Sequence, residues 1–337
     1  MCAIRVRPKP PSGPAADEAD PPPRGRRPPA GAPAGPGGPR RALPRARDWA
    51  GLLYVVPALT VFAFFVLYPL GQAVWLSLWD WDGVTQATWV GAGNYLDAIG
   101  DPEIVGALRN SLVFVLFYAA LPTAIGLLLT ALMARVRIYG LTFFRAALFV
   151  PQILPGVVVA VAWRSMYDID GPVNGVLRLA GLDGVTRAWL GEFATALPSV
   201  GLIGTWVMYG LCMVLFMAGA QRIPAELYEA ARIDGAGAVR EFFTVTLPGL
   251  RREISFALVL TITYALRNFD IVWNTTSGGP GTSTTVPSVF IYRAAFGTRD
   301  YGEAAAISVL LTALILAVTG LVLFLLRSKD DAKGARR

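Results

Sequence analysis

The chain has 337 residues, of which 54% are hydrophobic and only 16% charged, where a soluble domain carries roughly a quarter. Histidine is absent and Cys2 and Cys212 are the only cysteines, which excludes histidine acid–base chemistry, the usual zinc ligand sets and a plausible disulfide framework. The net charge of +7 gathers in the tails and alternate loops, a pattern that orients a membrane protein and calls for no nucleic acid.

Residues 1–48 contain 13 of the 25 prolines and ten Arg or Lys residues. Little there could form a core, so this segment is expected to be a disordered, Pro/Arg-rich cytoplasmic tail. Six apolar segments follow, at about 52–78, 108–134, 141–165, 197–219, 254–275 and 304–326. Each approaches the roughly 20 residues that cross the hydrocarbon of a bilayer as helix. The expected fold is therefore an all-α integral membrane protein with six transmembrane helices, a permease-like domain over 49–327 and a basic cytoplasmic tail over 328–337. Pro57, Pro69, Pro122, Pro151 and Pro155 fall inside these segments, so kinked helices are expected.

Arginine and lysine set the orientation. The 79–107 loop has neither, but carries Asp80, Asp82, Asp97, Asp101 and Glu103. The 220–253 loop carries Arg222, Arg232, Arg240, Arg251 and Arg252, and both tails are basic. Positive-inside logic places the termini and the 220–253 loop in the cytoplasm of a multi-pass protein of the cell membrane. Lysine occurs only at Lys9, Lys329 and Lys333, and none follows a Gly-x-x-x-x-Gly pattern. Without a P-loop, any ATP used belongs to another subunit.

Between the fourth and fifth segments lies a charged island, residues 224–248. Pro224 suits a first helical turn. Glu226 and Glu229 fall near the positive end of that helix, and Ala230 and Ala231 favour helix with little bulk. Gly235 can end the helix in a left-handed conformation. A second short helix with Val239, Phe242, Phe243 and Leu247 on one face should run to Pro248. Two readings stand for this island from its residues alone: a loop that joins two spans, or a docking element for a cytoplasmic partner.

The spacing Glu229-Ala230-Ala231, three residues, Gly235, nine residues, Val245, one residue, Leu247-Pro248 resembles the Glu-Ala-Ala loop of ABC importer permeases. The likeness extends over roughly 50–327 and is closest to the carbohydrate-uptake branch. Leu53–Pro57, Tyr68-Pro69, Arg109-Asn110-Ser111, Phe149-Val-Pro-Gln-Ile-Leu-Pro155, Phe269-Asp270, Thr276-Ser-Gly-Gly-Pro280 and Ile291–Phe296 all carry it. This resemblance implies a type I importer permease fold, with a cytoplasmic coupling helix between spans four and five. It implies a second, usually non-identical permease, an ATPase dimer that uses ATP and Mg, and an extracytoplasmic solute-binding protein. The chain itself would be non-catalytic and would bind no cofactor. Glu229, Ala230, Ala231, Arg232, Asp234, Gly235, Leu247 and Pro248 would then be the ATPase-coupling residues.

In the fifth segment, Tyr264, Arg267, Asn268 and Asp270 bring an aromatic ring and hydrogen-bonding groups into an apolar stretch. Arg267 and Asp270, three apart, would share one face of a continuous helix. They read either as a structural ion pair or, with Tyr264 and Asn268, as the lining of a pathway for a hydroxyl-rich solute. Arg109, Arg145 and Arg164 lie near segment ends, where they snorkel to phosphates or line a pathway. Trp75, Trp79, Trp81, Trp89 and Trp273 are expected at an interface, with sugar stacking as the other reading. An ion-gradient-driven secondary transporter remains the alternative function, although it would call for internal repeats and paired midplane acids that the sequence lacks.

Overall fold

The computed structural model describes residues 46–135 and 140–326. The expected tails at 1–48 and 328–337 lie outside these residues, apart from 46–48, which are helical. The chain divides between Leu59 and Thr60 into two units. The described part of the first, 46–59, is helix.

Among the described residues, four helices are long and apolar enough to cross a membrane: Tyr54–Leu76, Pro102–Met133, Ala196–Ala220 and Tyr301–Leu326. The third expected segment is a broken pair, Phe143–Ile153 and Gly156–Met166, bent by 96°. Pro155 causes the break. It pushes Leu154 out of the helical region, to φ −70°, ψ 136°, and itself offers no N–H to continue the ladder. The fifth expected segment is also interrupted. Arg251–Leu266 stops after 16 residues, and a short helix, Asp270–Thr275, resumes beyond Phe269.

Pro57 and Pro151 lie inside α-helical segments, while three other prolines are absorbed in a recurring way. Residues 63–67, 116–120 and 242–246 form π-turns, each followed after one residue by proline: Pro69, Pro122 and Pro248. Before each proline, Tyr68, Leu121 and Leu247 donate their N–H groups five residues back, to Ala63, Leu116 and Phe242. A proline cannot bond to the carbonyl four residues earlier and its ring crowds it; the widened turn relieves both problems while keeping the helix continuous. Pro248 therefore does not end the second helix of the charged island, as its sequence position predicts. The Leu247–Gly249 turn contains it, and the path breaks at Leu250, with φ −89°, ψ 6°.

The Ala196–Ala220 helix is the centre of the bundle. Val200, Ile203, Met213 and Phe216 on it are fully buried. Phe114 and Tyr118 from the second span and Val272 from the resumed fifth segment close the core around it. Small residues permit the closeness: a Cβ on Gly204 would lie 2.0 Å from the Tyr118 ring. Outward-facing side chains such as Phe65, Leu316 and Phe324 form the apolar surface that a bilayer or a neighbouring membrane subunit covers.

The segments outside the bundle are tightly tied. Trp79–Asp80 and Thr88–Trp89 form a two-stranded antiparallel ladder, the one strand pairing among the described residues of an otherwise helical chain. Asp82 accepts bonds from the Thr85 and Val84 backbone N–H groups at its turn, which hold its carboxyl below the usual range. Asn110 donates to Ser283 and Thr285 carbonyls at 3.1 and 3.0 Å, fixing the 276–285 loop to the second span. In the 166–196 connection, Asn174 is fully buried and bonds to three backbone carbonyls and to Trp189. Burial beside that cluster pushes the Tyr167 phenol up to about 12.

Candidate functional site

The two broken segments meet. Where the first breaks, Gly156 packs against Asp270 so closely that a Cβ there would lie 3.3 Å from the Asp270 Cβ. Between the breaks opens a cavity of about 670 Å³. Tyr264, Arg267, Asn268 and Asp270, the four residues singled out in the fifth segment, all line it.

The geometry differs from a continuous helix. Arg267 caps the Arg251–Leu266 helix at φ −91°, ψ 6°, Phe269 stands at φ −123°, ψ −55°, and Asp270 opens the next helix. The expected shared helical face is therefore lost. Among the described residues, no ion pair joins Arg267 to Asp270, and both side chains are exposed. The break separates charges that an unbroken turn would have stacked. It leaves a guanidinium and a carboxylate exposed on the cavity wall, where each can bond to a solute.

Asn268 is buried and bonded. It is 7% exposed and donates through Nδ2 to the Tyr118 hydroxyl at 2.9 Å. Tyr118 lies in the 116–120 π-turn, so the device that absorbs Pro122 also places a polar group at the cavity. Tyr264 is 52% exposed and adds an aromatic face. The lining residues that sequence reasoning missed include Tyr118, Thr263 and Gln152, whose Oε1 is buried without a hydrogen-bond partner. A polar residue between two prolines, Pro151-Gln152-…-Pro155, was the available signal. A proline break exposes polar groups only where they line a cavity.

A concave site with a few convergent polar groups on an apolar scaffold has the form of a small-molecule site. The described residues contain no cluster of three metal-ligating groups. Of the three span-end arginines, Arg109 and Arg164 are exposed, while Arg145 keeps a buried Nε with no partner.

The charged island folds as two short helices. Ala225–Ile233 ends in a Schellman turn: Gly235 N–H bonds to the Arg232 carbonyl at 3.0 Å and Ala236 N–H to the Ala231 carbonyl at 2.9 Å. Gly235 sits at φ +74°, the left-handed conformation that a side chain penalises. The three-residue gap between Ala231 and Gly235 is thus the distance from the last helical turn to its terminating residue. Glu229, Ala230, Asp234, Gly235 and Pro248 are exposed, and Ala231 and Leu247 half-buried. Arg232 is engaged within the loop: its Nε lies 3.2 Å from the Glu241 carboxylate, which is 8% exposed. Tyr228 and Thr246 hydroxyls add a second cross-link at 3.3 Å. Leu227, Ile233, Val239 and Phe243 are exposed apolar residues beside the charges.

Comparisons with known proteins converge on one family. Residues 50–329 match the family described as binding-protein-dependent transport system inner membrane component. The chain is 36% identical over 271 residues to the probable ABC transporter permease protein YurN of Bacillus subtilis, covering 79% of this chain and 92% of that one. It is 35% identical to the diacetylchitobiose uptake system permease protein NgcF of Streptomyces coelicolor, covering 88% and 87%. The trehalose/maltose transport system permease protein MalF of Thermococcus litoralis is 34% identical, with 83% and 95% covered. The fold resembles that of a chain in a bacterial ABC transporter involved in alginate import, with a TM-score of 0.70 at 22% identity over 83% of this chain and 96% of that one. The chain belongs to the binding-protein-dependent inner membrane components of ABC importers: it is a permease subunit, and its ATP is hydrolysed by a separate ATPase.

Proposed function

We propose that this permease carries a sugar or related polyhydroxy solute through the cavity between its two broken segments. The observation that carries this reading is the convergence of Arg267, Asp270, Asn268 and the unpartnered Gln152 Oε1 on that cavity beside the Tyr264 ring. Hydroxyl groups both donate and accept, so one solute can satisfy a guanidinium, a carboxylate and an amide together. The names of the relatives, which include diacetylchitobiose, trehalose/maltose and lactose transport systems, support the same solute class. The ion-gradient alternative has no support from these relatives.

The importer then consists of this chain, a second and non-identical permease, an ATPase dimer using ATP and Mg, and an extracytoplasmic solute-binding protein. The 224–248 loop is the coupling element. Glu229, Ala230, Ala231, Asp234, Gly235, Leu247 and Pro248 meet the ATPase, while Arg232 acts through Glu241 to hold the loop's shape. The distribution of arginine and lysine supports a cytoplasmic position for that loop and for both termini.

Vesicle uptake of labelled neutral disaccharides by the co-expressed importer tests the cavity. Asp270→Asn and Arg267→Ala should each raise KM about tenfold or more, as expected when a hydrogen bond to a charged group is lost. The binding protein's own affinity for the solute should not move. Unchanged KM in both variants would reject the cavity as the solute site.

A further inference from the structure

Four aromatic rings run from the cavity wall to the protein surface. Phe269 lines the cavity, and its ring stacks on Trp273, with centroids 5.7 Å apart and planes 15° apart. Tyr292 leans on both, at 5.3 and 4.9 Å. Phe296 follows 5.2 Å from Tyr292 and is 73% exposed. The local folds set this order. Trp273 N–H bonds to the Phe269 carbonyl at 2.8 Å, so these rings lie one turn apart at the restart of the fifth segment. Tyr292 and Phe296 are likewise a turn apart where Pro287–Tyr292 runs into the 293–298 π-turn.

Packing against the bundle core accounts for the inner rings, Phe269 and Trp273, but not for the exposed Tyr292 and Phe296 that continue the strip outward. Its inner end is a wall of the cavity that Arg267, Asn268 and Asp270 also line. Hydrogen-bonding residues flank it: Asn274 donates to the Asp270 carbonyl at 2.8 Å, and the exposed Arg293 donates to the Ser277 carbonyl at 2.8 Å. The Arg293 guanidinium has further N–H groups, whose burial in hydrocarbon would be costly. Aromatic faces bordered by donors and acceptors match a carbohydrate. A pyranose has one face of C–H groups, which the negative face of an aromatic ring attracts, and a rim of hydroxyls.

We propose that Phe269, Trp273, Tyr292 and Phe296 form a stacking track along which sugar rings enter the cavity, and that the permease therefore accepts solutes of more than one ring. The proposal rests on the cavity being the solute site. Trp273, expected from sequence to be an interface anchor, becomes a rung of the track.

The test is uptake by the complete importer in proteoliposomes, using radiolabelled neutral oligosaccharides of increasing length. Trp273→Leu and Tyr292→Leu keep apolar bulk and remove the ring; each should raise KM for the longer sugars about tenfold. Trp273→Phe and Tyr292→Phe should lose less. Phe296→Ser alters an exposed ring that the packing does not need, so it reports on the track even if the Leu variants fail to assemble; it should raise KM several-fold for the longest sugars. Unchanged KM in Phe296→Ser and in whichever Leu variants assemble overturns the track. If Asp270→Asn still raises KM in that case, the cavity reading stands without it. Failure of the wild-type importer to take up any of the oligosaccharides overturns both.

Discussion

The coupling loop and the cavity are built on opposite plans. The loop is contiguous: residues 224–248 make their own helix stop, their own ion pair and their own hydroxyl cross-link. The cavity is assembled from distant segments, with Tyr118, Gln152 and Arg267–Ile271 brought together by two helix breaks. In the loop, a Cβ on Gly235 would meet nothing within 4 Å; in the bundle, one on Gly204 would strike the Tyr118 ring. The loop presents an exposed shape, as the docking role proposed for it requires, whereas the cavity depends on packing that holds polar groups in an apolar surround. Substitutions should therefore act through docking in the first region and through stability and solute affinity in the second.

The largest separation of the two should come from Ala231→Trp. Ala231 is half-buried on the last turn before the Schellman stop, and its carbonyl accepts the Ala236 N–H. An indole there obstructs close approach by a partner surface and leaves the cavity untouched. Uptake should fall to background, and ATP hydrolysis should cease to respond to loaded binding protein, while the subunits are still expressed. Uptake at the wild-type rate would remove this loop from the coupling role.

Gly204→Ala probes the other region. The added methyl group would stand 2.0 Å from the Tyr118 ring, so the ring must shift. Overpacking of this kind costs about 1–3 kcal/mol. The shift also loosens the 2.9 Å bond to Asn268, leaving a buried amide short of a partner. A lowered thermal midpoint of the purified complex together with a raised KM for uptake would tie the packing to the cavity. A lowered midpoint with unchanged KM would sever the two and show that Tyr118 does not position the solute site.

This contrast also governs what the sequence reveals. The Glu229–Gly235 spacing was legible because a helix and its stop are local: the left-handed glycine lies where the pattern predicts, at φ +74°. The apolar segments were legible because the bilayer imposes their length. Arg267, Asn268 and Asp270 were legible as polar residues in an apolar run, but their arrangement was not. The separation of Arg267 from Asp270 depends on the helix stopping at Leu266, and no proline or glycine marks that stop. The 96° bend at Pro155 was expected only as a kink, because the angle is set by what packs across it, here Asp270 against Gly156. Tyr118 and Gln152 gave weaker signals still. Their roles come from neighbours 150 residues away in one case, and from an unpartnered buried oxygen in the other.

Glu241→Gln should have the smallest effect, and it sharpens the comparison because it tests a polar link inside the loop. The Arg232 Nε lies 3.2 Å from the Glu241 carboxylate. The two side chains differ in exposure, 65% for Arg232 and 8% for Glu241. Water around the guanidinium screens the attraction, so the link contributes toward the surface range, about 1 kcal/mol or less. Glutamine keeps an acceptor oxygen in place and loses only the charge. Uptake should therefore drop less than about threefold, while Glu241→Leu, which removes the acceptor and leaves Arg232 without this partner, should drop it further. Rescue of Glu241→Leu by a second change, Arg232→Leu, would identify the pair as a strut that sets the angle between the two short helices. If Arg232→Leu alone matched Ala231→Trp in abolishing uptake, Arg232 would be a direct contact with the ATPase, and the loop would depend on that charge more than on its shape.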